Sequence, residues 1–192
     1  SSYAENYEVS SDKSKKDYYV SKISENARYM DNLIVKTLEL SKAESSFVIS
    51  NESVKVESVV EEVLEQLNNL VQEKKLKINK KNLNGKSIKT DKVCFKSSLV
   101  ALLENSIKYA PAETEIVISS DDTNILSISN KFEGEIEDTE NLKKAFVRGN
   151  KARGDMEGSG LGLSIADNNL SKLGFNLLID TSDKTFTVTI KN

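Results

Sequence analysis

The sequence predicts an α+β protein in which helices cover one face of a mixed β-sheet, preceded by a separate helical segment. Three observations predict this. Apolar residues recur at helical spacing over 20–41, 57–73, 91–110 and 161–173, and six short runs alternate in the manner of strands. From about residue 56 onward the two patterns interleave, whereas before it only the helical one occurs.

The first 18 residues (SSYAENYEVSSDKSKKDY) are polar, and their Ser/Asp/Lys stretch reads as a connector between an interrupted helix and the next one. From Val20 the pattern changes: Ile23, Ala27, Met30, Ile34, Thr37 and Ser41 alternate in steps of four and three, flanked by Leu33, Leu38 and Leu40. That is the seam of a helix in a bundle or coiled coil. Alone it would be marginal, so it needs a partner, either the stub before it or a second copy of the chain.

Glu44 to Lys55 (ESSFVISNESVK) breaks the period with an Asn/Ser cluster, which places a domain boundary near Ser45 to Asn51. The expected division is therefore 1–46 helical, 47–55 linker and 56–192 a second domain. There, Val56, Val59, Val60, Val63, Leu64, Leu67 and Val71 mark a helix over about 57–73, with Ser58 and Glu61 spaced as a capping box. LKIN (76–79) and KSIKT (86–90), separated by Asn84-Gly85, read as strands. Asp91 then opens a long apolar helix that ends at Pro111. TEIVISS, NILSISN, FNLLID and TFTVTI are further strands, with turns at Asp121-Asp122 and Ser182-Asp183 and a helix near 161–173 between the pairs. Between Asn130 and Gly158 lies a charged stretch with scattered glycines, long enough to be a functional loop or lid.

Composition narrows the chemistry. With 27 Lys and Arg against 30 Asp and Glu the net charge is −3, which disfavours nucleic acid as a partner. A single cysteine, Cys94, excludes an intrachain disulfide, and its apolar helical setting reads as core. No apolar run reaches the roughly 20 residues of a membrane helix. The chain contains no histidine, so imidazole bases, imidazole metal ligands and phosphohistidine are excluded from anything it does alone.

Three segments carry candidate chemistry. GSGLGL (158–163) precedes a helix, so its glycines let main-chain N–H groups approach an anion where the helix start adds partial positive charge. An ordinary flexible loop would look the same. In ALLENSIKYAP (101–111), Asn105, Lys108 and Tyr109 fall at i, i+3 and i+4 on one side of the helix, opposite Leu99, Leu102 and Leu103. A carboxamide oxygen is a hard ligand suited to Mg²⁺ beside phosphate oxygens, and a nearby lysine balances phosphate charge; a solvated polar face is the plainer alternative. The third segment is ISNKFEGEI (128–136).

Taken in order, these segments resemble the catalytic and ATP-binding domain of sensor histidine kinases, within the GHKL ATPase superfamily. The resemblance covers nearly all of 54–192. ENSIKYAP resembles the N box, NKFEGEI stands at the G1 box, AFVRGNKAR resembles the F box and GSGLGLSIA the G2 box. It implies a two-layer α/β sandwich (the Bergerat fold) that binds ATP with Mg²⁺. Asn105 is the implied Mg²⁺ ligand, with Lys108 and Tyr109 close to phosphates and lid. Asn130, Gly134 and Ile136 fall in the adenine-side stretch, Phe146 and Arg148 in the lid, and Gly158, Ser159, Gly160, Leu161, Gly162 and Leu163 in the phosphate loop and hinge. Lys108 and Arg148 are the implied phosphate stabilisers.

Three positions depart from the family pattern. Asn130 replaces the usual Asp, Phe132 stands in place of the first G1 glycine, and Ala101 replaces an earlier N-box Asn. An Asn oxygen still accepts a hydrogen bond from an adenine amino group. By the same resemblance SKISENARYMDNLIVKTLELSKAE is similar to the second helix of a dimerisation and phosphotransfer hairpin, and SSYAENY to the tail of the first. The expectation is a chain that starts just downstream of the phosphoacceptor His. It would be the cytoplasmic part of a membrane-anchored, homodimeric kinase that hands its phosphoryl group to a response regulator receiver domain. Two alternatives stay open: a GHKL Ser kinase or clamp ATPase, disfavoured by Ala101 where such clamps need a carboxylate, and a degenerate interaction module or pseudokinase.

Overall fold

A computed structural model of the chain describes residues 3–24, 27, 30, 50–133, 139, 141–144 and 160–192. At the front, α1 (Tyr3–Val9) is followed by a helix α2 whose described residues begin at 13 and include 13–24, 27 and 30. The second helix thus starts before Val20, where the apolar seam begins. Asp12 sets the start: its Oδ1 accepts from Ser14 N at 2.9 Å, the bond of an N-cap. Tyr3 meets the rings of Tyr18 and Tyr19, each at 6.4 Å between centroids, and Lys16 lies over Tyr7, so α1 and α2 form a helical hairpin. Ile23, Ala27 and Met30 are exposed in the single chain. Ile34, Thr37 and Ser41 of the predicted seam lie outside the described residues.

The packed unit begins earlier than the sequence reading placed it. Residues 52–55, assigned above to the linker, form strand β1 (Glu52–Lys55), with Val54 buried, paired antiparallel to β3 (Ser87–Thr90). β1 runs straight into α3 (Val56–Gln66), and α4 (Asn68–Glu73) follows after a break at Leu67. The capping box at Ser58 is corrected accordingly. Lys55 holds the N-cap position without a side-chain bond, and the first helical N–H, of Val56, donates to the Lys86 carbonyl at 3.0 Å beside β3.

Five strands make the main sheet: β2 (Lys77–Lys81), β4 (Glu115–Ser119), β5 (Leu126–Lys131), β7 (Thr185–Lys191) and β6 (Asn176–Ser182), in that spatial order. β2 and β4 are parallel and the other pairs antiparallel, so the sheet is mixed. β2 and β3, neighbours in sequence, belong to different sheets. Alternation assigns the faces: Ile116, Ile118, Leu126, Ile128, Val188, Ile190, Leu177 and Ile179 are buried, while Ser127 and Ser129 on the other face exchange hydroxyl bonds with Thr189 and Thr187.

The buried face is covered by α5 (Lys92–Tyr109) and α6 (Gly162–Lys172). Asp91 starts α5 as the sequence indicates, its Oδ1 accepting from Cys94 N at 2.9 Å, while its Oδ2 accepts from Ser50 N at 3.1 Å. Phe95, Leu99, Leu102, Leu103 and Ile107 form the core stripe of α5, each Leu worth about 1.5–3 kcal/mol of burial. The architecture is the two-layer α/β sandwich expected from the sequence.

Candidate functional site

The site is built where the end of α5 meets the start of α6. α5 ends because Pro111 has no N–H to continue the ladder and drives Ala110 into extended geometry (φ −62°, ψ 132°). Since its core stripe is fixed by Leu99, Leu102 and Leu103, the residues beside it, Ala101, Asn105 and Lys108, follow one another at i, i+4 and i+7 along the half-buried flank. The Lys108 ammonium stands 5.4 Å from the centre of the Tyr109 ring, a cation–π contact.

α6 arrives on that flank. Gly160 has φ +68°, a left-handed conformation that a glycine adopts without strain, and Gly162 opens the helix with no side-chain cap. A methyl group at Gly162 would lie 3.7 Å from the Ala101 carbonyl oxygen, one turn before Asn105. The helix start therefore faces the Asn105 flank of α5. At the far end of the pair, Cys94 Sγ lies 3.8 Å from the Asn169 carbonyl oxygen, so α5 and α6 run antiparallel. Burial raises the Cys94 thiol pKa, which keeps it protonated. Leu161 and Leu163 are buried, so at the helix start they offer main chain and not side chain.

Asn130 occupies the buried face of β5 between Ile116 on β4 and Phe186 on β7. It is only 2% exposed. Its Nδ2 donates to the Lys131 carbonyl at 2.8 Å, and its Oδ1 is fully buried with no partner among the described residues. An unsatisfied buried acceptor costs about 1–3 kcal/mol, so the position has capacity for one more donor beyond those of the described residues. Phe132 packs half-buried against the core, its N–H donating to the Lys184 carbonyl at 3.1 Å. A short 3₁₀ turn, Asn141–Lys143, brings Leu142 into the core beside α6.

The structure thus sets Gly162, at the start of α6, beside the Ala101 turn of α5, the helix that also carries Asn105, Lys108 and Tyr109, and sets Asn130 on the sheet face that the same helices cover. Gly134, Ile136, Phe146, Arg148, Gly158 and Ser159 lie outside the described residues. Among the described residues no cluster of three or more His, Cys, Asp or Glu forms a metal site. A metal here would depend on Asn105 together with oxygens of a ligand. The sequence did not single out Lys74, whose Nζ donates to the carbonyls of Lys108 and Ala110 from 34 and 36 positions away. No local pattern signals a contact so distant along the chain.

The profile of the family described as histidine kinase-, DNA gyrase B- and HSP90-like ATPase matches residues 90–192, more than half of the chain. The chain belongs to this ATPase family. The match begins at β3 and takes in α5, α6 and the four strands that follow α5, which are the elements that build the site. Comparison with curated proteins gave no match. Among solved structures, the fold is similar to that of the Acinetobacter baumannii histidine kinase AdeS, at 19% identity over 95% of this chain and 85% of that one, with TM-score 0.64. It is also similar to the mycobacterial sensor histidine kinase MprB, at 19% identity over 73% and 95% of the two chains, with TM-score 0.60. Full-length ShkA in complex with AMPPNP gives TM-score 0.70 at 17% identity over 95% of this chain and 39% of that one. The likeness at these identities is one of fold, and the mixed sheet with its helical face is that of a GHKL ATP-binding domain.

Proposed function

We propose that this member of the ATPase family is the catalytic and ATP-binding part of a sensor histidine kinase. It binds ATP with Mg²⁺, and the γ-phosphoryl group passes to a His on a helix outside the 192 residues, for relay to an Asp of a response regulator. The observation that carries the reading is the approach of Gly162 to the Ala101 carbonyl, which brings the glycine-rich helix start against the Asn105 flank. Asn130 supports it independently, because its unpartnered Oδ1 suits the amino group of adenine.

The chain's own residues position and neutralise. The start of α6 offers main-chain donors and partial positive charge to phosphates, Lys108 balances their charge, and Arg148 does the same from the lid. Asn105, the candidate Mg²⁺ ligand, would hold the metal, which would supply charge neutralisation to the phosphates when bound. With the phosphates held, the acceptor imidazole nitrogen forms a bond to the γ-phosphorus as the bond to the bridging oxygen breaks and ADP leaves; the domain contributes alignment. Homodimerisation through the helical front and a membrane-anchored parent belong to the same proposal. Among the described residues no helix is long and apolar enough to cross a membrane.

A second reading, a nucleotide-free interaction module in which the pocket is vestigial, is favoured by Ala101, Phe132 and Asn130, where the family pattern is not met. Isothermal titration of the chain with Mg·ATP decides between them. Micromolar to sub-millimolar affinity supports the kinase reading, and no binding at millimolar nucleotide removes it.

A further inference from the structure

We propose that Lys74 is a positioning residue for the phosphate-facing end of the nucleotide site. The proposal rests on the nucleotide reading above and adds to it a residue that neither the motifs nor the family match includes.

A helix leaves its last four carbonyls without intrahelical donors, and α5 ends in a way that cannot repair this locally. The last N–H of the ladder, from Ala110, donates to the Ser106 carbonyl at 2.9 Å. Pro111 has no N–H to give, and Ala110 is extended, so the left-handed glycine cap that commonly ties off helix ends is absent. Lys74, the C-cap residue that follows α4, takes over this task. Its ammonium donates to the Lys108 carbonyl and, at 2.9 Å, to the Ala110 carbonyl, placing a positive charge at the negative end of α5.

Main chain reinforces the clasp. The Lys74 carbonyl accepts from Glu113 N at 2.9 Å, so residue 74 grips the turn between α5 and β4 from both ends. The neighbouring Lys75–Glu113 pair at 3.2 Å is exposed and adds little. Burial lowers the Lys74 pKa, in keeping with an ammonium whose partners are main-chain carbonyls.

The clasp acts on the turn that carries Lys108 and Tyr109 and begins next to Asn105. It does not act on Asn130, which stands on β5 and is oriented by the Lys131 carbonyl. Releasing Lys74 therefore loosens the residues facing phosphate and leaves the base end in place, a split that a general loss of stability would not produce.

The test compares Lys74→Met, Lys74→Arg and the unaltered chain, titrated with Mg·ATP and with adenosine, and adds amide exchange at Tyr109 and Ala110 without ligand. Lys74→Met is expected to weaken Mg·ATP about five- to thirty-fold while adenosine changes less than about two-fold. It should also accelerate exchange at those two amides. Lys74→Arg, which retains the cation and its donors, should restore both. Equal weakening of the two ligands, or unchanged Mg·ATP affinity in Lys74→Met, overturns the positioning role. If the unaltered chain binds neither ligand, the nucleotide reading itself fails, and the exchange data then report only the clasp.

Discussion

Two carboxamides divide the proposed site between them, and their surroundings suit them to different tasks. Asn105 sits half-buried on the flank of α5 with its neighbours Ala101 and Lys108, where a hard oxygen can meet a cation and its phosphates. Replacing it with Ala should abolish the Mg²⁺-dependent part of nucleotide affinity, measured by titration with and without the metal. Unchanged affinity would mean that the ENSIKYAP segment is misassigned. Asn130 is fully enclosed, and the bond from its Nδ2 to Lys131 fixes which atom is left over: an acceptor. Turning the amide over would set two oxygens against each other, so the position favours bases with a 6-amino group over those with a 6-oxo group, adenosine over inosine by about ten-fold or more. Asn130→Leu removes the orphaned acceptor without adding one. It should therefore cost little or nothing in thermal stability while weakening adenosine about ten-fold. A large stability loss with unchanged adenosine affinity would identify Asn130 as purely structural.

At the scale of elements, the start of α6 and the β4–β5 turn show how far local chemistry reaches. Gly160 lies at φ +68°, where an L side chain costs about 1–2 kcal/mol. Gly160→Ala is therefore expected to weaken Mg·ATP more than adenosine, because the altered turn leads into the helix start and not into β5; equal losses would point to general misfolding. In the β4–β5 turn, Asp121 accepts from Thr123 N, Thr123 Oγ1 and Asn124 N through one oxygen and from Asn124 Nδ2 through the other. The side-chain bond from Thr123, followed by those from the Asn124 and Thr123 main chain, lowers its pKa from 3.8 to about 2. A depressed carboxylate stabilises the fold above its unfolded pKa and loses that contribution as pH falls through the folded value. The melting-temperature gap between the unaltered chain and Asp121→Ala should thus be full near neutrality and close between about pH 4 and pH 2. Such features were legible in sequence because they are local: the Asp91 cap, the stop at Pro111 and the Asp121 turn each need only a few neighbouring residues. Ser58 misled for the opposite reason, since the helix already begins at Val56, whose N–H is satisfied by the carbonyl of Lys86, far along the chain. The order of motifs pointed to the candidate site, but the spare oxygen of Asn130 and the reach of Lys74 depend on strand register and helix packing, which no short window encodes.

For the molecule as a whole, the proposed function joins an absence in composition to a candidate donor site. One face of the mixed sheet, with α5 and α6, carries the candidate nucleotide site, while the 192 residues contain no imidazole to receive a phosphoryl group. The α1–α2 hairpin leaves Ile23 and Met30 exposed, an apolar seam that a further helix would cover. Donor and acceptor are therefore separable: with γ-labelled ATP and Mg²⁺, this chain alone should form no acid-labile, base-stable phosphate. Joined in one polypeptide to a helix that bears a His ahead of Ser1, it should become labelled, and Asn105→Ala in that longer chain should abolish the label. If the longer chain binds Mg·ATP but stays unlabelled, the pseudokinase reading prevails, because binding without transfer is what a degenerate pocket does. Label on the 192 residues alone would be equally decisive, since without a histidine it would have to rest on another nucleophile, a hydroxyl, carboxylate, thiol or basic nitrogen, and so point to a different acceptor chemistry within the same ATPase family.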